Sequence, residues 1–181
     1  MDDGQAGPRH ARQNDGPEAT QVPYNPGAGY DTGQLKTFNG LTFGGVPFSQ
    51  KKTCRLLDIL DGASNTLLAA EVIQGQKDDL RGFTWWGHGA IFVGYIGPNS
   101  PSPDVLYCCP GNYCDPTPPN PPCIAPATAT NPTMMGARSR HAGGVNVALC
   151  DGSCRFVTDA ILLNTWRALS TTQGAEVVPD Y

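Results

Sequence analysis

The chain has 181 residues, of which 16 are acidic and 12 basic, and its formal net charge is −4. Such a balance offers no basic surface to a phosphate backbone, so nucleic acid is excluded as a partner. With 39% hydrophobic residues, 22 glycines and 17 prolines, the chain is expected to be a globular, loop-rich domain with little helix. No apolar run reaches the roughly 18 residues that a membrane span requires, and no secretory signal stands at the start.

The N-terminal segment, residues 1–35, contains almost no apolar side chains. Such a segment buries too little surface to order itself, so we expect it to be disordered or loosely packed. Residues 36–181 are expected to form a single domain. Its first predicted elements, in chain order, are a short strand or irregular edge over 41–48, a helical turn over 56–61, and strands over 66–73 and 82–86. Residues 91–96 are expected to form a further strand or an extended segment.

Residues 98–132 contain eleven prolines, a density that no continuous helix or sheet tolerates. We expect a long excursion of polyproline-like and turn structure. Seven cysteines indicate an oxidising compartment. Disulfides, reduced thiols and a zinc site are the alternatives for the loop cysteines, although the paired C-x-x-C spacing of zinc sites is absent. These cysteines are Cys108, Cys109, Cys114 and Cys123. The odd total leaves at least one free thiol or an intermolecular bridge, and Cys54 and Cys150 are the candidates.

A hairpin is predicted where His141 is followed by an alternating run and then by Asp151-Gly152. Asp-Gly between two alternating runs favours a two-residue turn. In that register Leu149 faces Cys154 and Val147 faces Phe156. The predicted inner face then carries Val145, Val147, Leu149, Cys154 and Phe156.

Two consequences follow from the predicted hairpin. Cys150 and Cys154 would lie on opposite faces, so we expect no disulfide between them. His141 and Asp151 are roughly 30 Å apart in an extended strand, so they should not share a site. Asp151 would then serve the turn, and His141 either anchors the start of the strand or acts as a metal ligand or acid–base group.

A helix is predicted to follow the hairpin, with Thr158 as its N-cap. Leu162, Trp166 and Leu169 recur at helical spacing and would form its apolar stripe. Gly174 is the predicted stop, and residues 176–178 are expected to form a short closing strand.

The usual catalytic and phosphate-binding motifs are absent, because the chain has no G-x-S-x-G, Walker loop, G-x-G-x-x-G or H-E-x-x-H. One alternative is that His88 and His141 meet beside a carboxylate, either Glu71 or an aspartate. The candidates for acid–base chemistry are His88, His141, Asp61 and Asp151, and those for a metal ion are His88, His141, Asp58 and Asp61.

The segment 58–65 resembles a calcium loop only superficially, since it lacks the required ligand spacing. We predict instead a tight turn built by Asp61, Gly62, Ser64 and Asn65. No cofactor is therefore predicted, and a structural calcium or zinc ion stays an alternative. Adjacent Trp85 and Trp86 are a candidate stacking platform for a sugar. Loop tyrosines that would assist it are Tyr95, Tyr107 and Tyr113.

Two segments together resemble a known family. The run Asp58-Ile59-Leu60-Asp61-Gly62-Ala63-Ser64-Asn65-Thr66, followed by Glu71, is similar to the D-I-x-D-G-x-S-N-T…E stretch of prepilin-type proteins with a DUF1559 domain. The second is His141 with Asp151-Gly152, which matches that family's H-X9-DG motif. The resemblance implies a type IV pilin-like or type II secretion pseudopilin-like protein. It also implies an α+β, pilin-head-like fold, with an antiparallel sheet, a C-terminal hairpin and a short helix.

Members of that family begin with a leader, a peptidase site and a long apolar helix, which this sequence lacks, so we expect it to behave as a soluble head domain. The leading hypothesis is a non-enzymatic head domain of an extracytoplasmic appendage or secretion system, with protein partners from that apparatus. The second is an ester, lactone or glycoside hydrolase that uses His141 or His88. The third is a carbohydrate-binding module that contacts a surface glycan through Trp85 and Trp86.

Overall fold

A computed structural model describes most of the chain beyond residue 35. The described residues are 36–38, 41–48, 53–83, 91–106, 113–128, 131, 133–176, 178 and 181. The expected disorder of residues 1–35 therefore falls outside the described residues. Within the described part, no helix has the length and apolar character needed to cross a membrane.

The principal element is a three-stranded antiparallel sheet in the order β3-β6-β7, formed by Leu67–Ala70, Gly144–Leu149 and Cys154–Thr158. Strands β1 (Lys36–Phe38) and β2 (Leu41–Phe43) form an antiparallel pair. Strands β4 (Asp104–Val105) and β5 (Cys123–Ile124) form a short parallel pair. Among the described residues the one α-helix is α1 (Leu163–Leu169), and the predicted loop-rich α+β class is confirmed.

The core lies between one face of the sheet and α1. Val145, Val147 and Leu149 alternate along β6, and all three are buried, because alternate residues of a strand face the same side. Trp166 of α1 is fully buried, and its ring lies 6.3 Å from that of Phe92 between centroids. The helix thus covers the inner face of the sheet.

The β6–β7 hairpin is confirmed, but its predicted register is wrong by one residue. Ala148 pairs with Cys154 and Val145 pairs with Val157, whereas the prediction placed Leu149 opposite Cys154. Because side chains alternate, a one-residue slip exchanges the two faces of a strand. Accordingly Val157 is buried, while Cys154 and Phe156 are exposed.

The cause of the slip is the length of the turn. The Leu149 N–H donates to the Ser153 carbonyl at 2.8 Å, so the loop holds residues 150–152 and not two residues. Gly152 has φ +85, which glycine adopts without a steric penalty. A left-handed residue at this position of a three-residue loop keeps the strands aligned. The Asp-Gly pair therefore marks the correct turn but not its length.

The C-terminal helix is shorter than predicted. It begins after Leu162, not after Thr158, and Leu162 is 72% exposed. The predicted cap at Thr158 and the predicted burial of Leu162 are therefore wrong, while the burial of Trp166 and Leu169 is confirmed. The chain leaves the sheet through a turn at 159–161, which delays the helix by about one turn.

The other predicted elements have mixed outcomes. The helical turn is present as 3-10 segments at Leu56–Asp58 and Ala63–Asn65, and the strand predicted over 66–73 is β3. The strand over 41–48 is reduced to β2. No strand is assigned to residues 82–83, 176 or 178, and the strand predictions are wrong for those residues. Residues 91–96 do not form a strand either, which leaves the alternative of an extended segment. The remaining residues of the predicted strand 82–86, which are 84–86, lie outside the described residues.

The proline-rich loop has a buried interior that the sequence does not suggest. Leu106 packs with Cys114 and Cys123, which form a disulfide. Asp104 is buried and accepts hydrogen bonds from the guanidinium groups of Arg81 and Arg138. Arg81 also pairs with buried Asp79. Two buried cations thus face two buried anions, and this cluster attaches the loop to the segments that contain Arg81 and Arg138.

Candidate functional site

The Glu71 carboxylate joins the two family-like segments. Its Oε2 accepts the Asn146 N–H at 2.8 Å, and its Oε1 accepts the Asn146 side-chain amide at 3.0 Å. His141 Nε2 lies 3.0 Å from the same Oε1. Glu71 directly follows β3, and Asn146 lies on the outer face of β6. The carboxylate therefore ties the end of one strand to its neighbour and to His141.

Short loop contacts fix the position of His141. Its backbone N–H donates to the Ser139 hydroxyl, which in turn donates to the Gly144 carbonyl at 2.6 Å. Asn99 accepts the Ser139 N–H and donates its side-chain amide to the same Gly144 carbonyl. The His141 ring also meets Phe156 edge-on, with centroids 6.5 Å apart. The histidine thus anchors the start of β6.

The electrostatics of the site favour an ionised Glu71. Partial burial of its side chain opposes ionisation, but hydrogen bonds from Asn146 and His141 outweigh that effect. The pKa of the Glu71 carboxyl therefore lies below its usual value. A carboxylate that accepts several N–H bonds is stabilised in its charged form.

Glu71→Gln should lower the free energy of unfolding at neutral pH. As the pH falls, the variant should lose less of this free energy than the unaltered chain does. Because the Glu71 pKa is lowered by folding, its contribution is present above the unfolded value, about 4.3. It is lost as the pH falls through the folded pKa. We expect a deficit of about 1–2 kcal/mol at pH 7, since the lost bonds involve a charge but are partly exposed. Urea unfolding of the unaltered chain and of Glu71→Gln across the acidic pH range measures this difference in unfolding free energy.

The matched control for that experiment is Asn146→Ala, which removes one donor and keeps the carboxylate. This variant should retain a steeper acid dependence than Glu71→Gln. If Glu71→Gln and the unaltered chain lose stability in parallel as the pH falls, the Glu71 carboxylate does not hold the strands as described.

The Asp151-Gly152 end of the motif makes contacts that are separate from those of His141. The Asp151 side chain accepts the Ser153 hydroxyl at 2.7 Å and the Ser153 N–H at 2.9 Å. These bonds lower the pKa of the Asp151 carboxyl. Asp151 thus closes the hairpin loop, as predicted, and it is not among the partners of His141.

Asp61 holds the C-terminal segment to the turn that precedes β3. Its carboxylate accepts the N–H groups of Gly174 and Ala175, each at 2.8 Å, and the Thr171 hydroxyl at 2.9 Å.

The other residues of the segment 58–65 make local contacts. Asp58 pairs with Arg55. Gly62 has φ +90, and the Gly62 carbonyl accepts a bond from Asn65 N–H. Ser64 lies in the same 3-10 turn and is exposed. The chain therefore turns at 62–65 through a backbone bond, whereas the Asp61 side chain binds the C-terminal segment and not the amides of its own turn.

Among the candidate ligands, the structure brings His141 together with Glu71 and with neither Asp58 nor Asp61. His88 lies outside the described residues. Within the described part, no group of three or more His, Cys, Asp or Glu side chains is arranged to hold a metal ion. The candidate residues that also lie outside it are Trp85, Trp86, Tyr107, Cys108 and Cys109.

The remaining aromatic candidates have structural partners. Tyr113 is half-buried against the Cys114–Cys123 disulfide. The Arg167 guanidinium lies 4.6 Å from the centroid of the Tyr95 ring. Both rings therefore pack against other parts of the chain.

The cysteines divide into bonded and free groups. Cys114 and Cys123 are bridged, so the zinc and reduced-thiol alternatives are wrong for this pair. Cys150 and Cys154 are free thiols, which confirms that they are not bonded to each other. Burial raises the pKa of the Cys150 thiol to about 11, so it is unreactive at neutral pH. Cys154 is exposed, and the sequence does not single it out.

A groove of about 540 Å³ runs beside the Glu71–His141 contact. One wall is the segment 71–76 and the other is the segment 138–141. The sequence analysis names Glu71 and His141 but misses Asn146, Asn99 and the groove itself. No local signal marks Asn146, because its role depends on a contact with Glu71, which is 75 residues away in sequence.

The fold and the site define a loop-rich α+β domain whose polar motif residues hold strands and loops together. The model of the family described as a protein of unknown function (DUF1559) matches residues 3–163. The chain therefore belongs to this family, as the two motifs predict. No curated protein and no solved structure gives a match.

Proposed function

We propose that this chain is the head domain of a pseudopilin-like protein and acts without catalysis in an extracytoplasmic appendage or a type II secretion-like system. The observation that carries the proposal is how the family motif residues are used. Glu71, His141 and Asp61 bind strands, loops and the C-terminal segment of their own chain. Motif residues that serve folding support a structural head more than an enzyme.

Two further observations support the proposed location and contact surface. The Cys114–Cys123 disulfide favours an oxidising, extracytoplasmic compartment. The loop that it closes exposes residues 116–119 while Asn120 below them is buried. The loop is therefore a fixed projection that suits contacts with another protein.

The hydrolase hypothesis has one observation in its favour, the His141–Glu71 contact on the wall of a groove. In the described part of the chain, the only hydrogen bond of the His141 ring is the one to Glu71. The Ser139 hydroxyl, which accepts the His141 backbone N–H, donates to the Gly144 carbonyl. A nucleophile activated by His141 would need to be within hydrogen-bond reach of the ring, so the arrangement favours the structural role.

Site-specific photo-crosslinking in native cells tests the proposal. A photoreactive residue replaces exposed Thr117 in the loop, and the control position is exposed Asn164 on α1. We expect cross-links from position 117, more than from position 164, to extracytoplasmic proteins that carry an N-terminal apolar helix of pilin type. The Cys114–Cys123 bridge should be intact in the recovered chain.

The proposal fails if the chain is recovered from the cytosol with Cys114 and Cys123 reduced. It also fails if the purified protein hydrolyses an ester, lactone or glycoside and His141→Ala abolishes the turnover while the variant stays folded. That second result would establish the hydrolase alternative in its place.

A further inference from the structure

The strand β7 is an accessible edge of the three-stranded sheet. In the order β3-β6-β7 it has β6 on one side and no described strand on the other, and all of its residues except Val157 are exposed. The opposite edge strand, β3, is irregular between Leu67 and Ala69, whereas β7 pairs with β6 without a shift of register. Natural edges are commonly protected by proline, lysine or a bulge, and β7 has none of these.

Alternate backbone groups of β7 point away from β6. The Asp159 N–H donates to the Gly143 carbonyl, and such bonds recur at every second residue of an antiparallel strand, so the odd-numbered residues bond to β6. The N–H and carbonyl groups of Phe156 and the Thr158 N–H therefore point outward, and no described residue bonds to them. The Thr158 carbonyl accepts the Ile161 N–H and keeps a second lone pair.

Two exposed charges lie on the same side of this edge. Arg155 and Asp159 are four positions apart, so their side chains face one side of the sheet. The Arg155 guanidinium lies 5.6 Å from the centroid of the Tyr181 ring, and the Asp159 carboxylate accepts a bond from the Asn99 amide. Neither charge forms an ion pair with a described residue. An edge that carries both charges is complementary to a second copy of itself that runs in the opposite direction.

Charge selects one register for two antiparallel copies of β7. Outward-facing residues must be opposite outward-facing residues, so the possible registers differ in steps of two residues. One register places the two Arg155 side chains opposite each other, which is destabilising. The next places Arg155 opposite Val157. The one after that places Arg155 of each copy opposite Asp159 of the other, and the two-fold symmetry makes this pairing occur twice.

We propose that β7 pairs in antiparallel fashion with β7 of a second copy of this chain. Arg155 of each copy is opposite Asp159 of the other, and Phe156 exchanges backbone hydrogen bonds with Thr158 of the other copy. The two sheets then join into one continuous sheet about a two-fold axis at Val157. Because the contact consists of a few backbone bonds and two exposed ion pairs, the association is weak, in the micromolar to millimolar range. The inference does not depend on the pseudopilin role.

Sedimentation equilibrium of the full chain over a series of concentrations tests this inference. Every protein carries Cys154→Ser, so that a disulfide between the exposed Cys154 thiols cannot produce the dimer. We expect a monomer–dimer equilibrium that Arg155→Asp or Asp159→Arg weakens about tenfold or more, because each change places like charges opposite each other at two positions. The double variant Arg155→Asp, Asp159→Arg exchanges the charges and should restore the affinity to within about threefold.

A control variant and hydrogen exchange make the test specific. Arg140→Asp changes the net charge as Arg155→Asp does, at an exposed position outside β7, and should leave the association unchanged. At high protein concentration, exchange should slow at the Phe156 and Thr158 amides and not at Val157, which is paired with β6. The inference is overturned if the chain stays monomeric at millimolar concentration, or if Arg155→Asp acts no more strongly than Arg140→Asp. It is also overturned if the double variant associates as weakly as the single variants.

Discussion

Replacing Asp104 by alanine should destabilise the protein by about 3–5 kcal/mol, the usual cost of removing one member of a buried ionic cluster. The Asp104 carboxylate accepts bonds from Arg81 at 2.7 Å and from Arg138 at 2.9 Å, and all three side chains are buried. Without it, the partners left to the Arg138 guanidinium among the described residues are the carbonyls of Ser100 and Ser102. Denaturant unfolding of the variant measures the loss.

The matched control is Asp78→Ala, which removes a carboxylate from an exposed position near the cluster. We expect a change within about 0.5 kcal/mol, as for most surface substitutions. If Asp104→Ala and Asp78→Ala differ by less than about 1 kcal/mol, well short of a buried-charge penalty, the cluster does not attach the proline-rich loop to the segments that contain Arg81 and Arg138.

Replacing Trp166 by alanine should have a similarly large effect, about 3–5 kcal/mol for a fully buried aromatic residue. Its ring packs against Phe92, and its indole N–H donates to the Ile96 carbonyl at 2.9 Å. The variant loses both the packing and the hydrogen bond. Thermal and denaturant unfolding of the purified variant are the measurements.

Leu162→Ala is the control that distinguishes the observed helix from the predicted one. The helical stripe expected from the sequence places Leu162 in the core beside Trp166, whereas Leu162 is 72% exposed. We expect it to cost less than about 0.5 kcal/mol. A loss of 2 kcal/mol or more, about the cost of truncating a buried leucine, would contradict the helix boundary.

The fold class and the main hairpin follow from local patterns in the sequence. Alternation in β6 and the Asp-Gly turn depend on neighbouring residues, so they can be predicted. The register cannot, because a two-residue and a three-residue loop around Asp151 and Gly152 differ in which strand residues pair. Only packing decides between them, and the burial of Val157 against the core selects the longer loop.

The candidate site is predictable in part for the same reason. The distance along the strand correctly separates His141 from Asp151, and the family-like segments include Glu71. Their contact with Asn146 and the pairing of Arg81 with Asp104 depend on elements that are far apart in sequence. Such contacts leave no spacing signal in a single chain, and the long loop between the elements hides them further.

The central claim is that the two halves of the His–Asp-Gly motif stabilise different places and share no site. Double-mutant cycles of unfolding free energy test it most directly. His141→Ala with Glu71→Gln should show a coupling of roughly 0.5 kcal/mol, as for a partly exposed pair. His141→Ala with Asp151→Ala should be additive within error. Coupling of His141 to Asp151, with none to Glu71, would contradict the account.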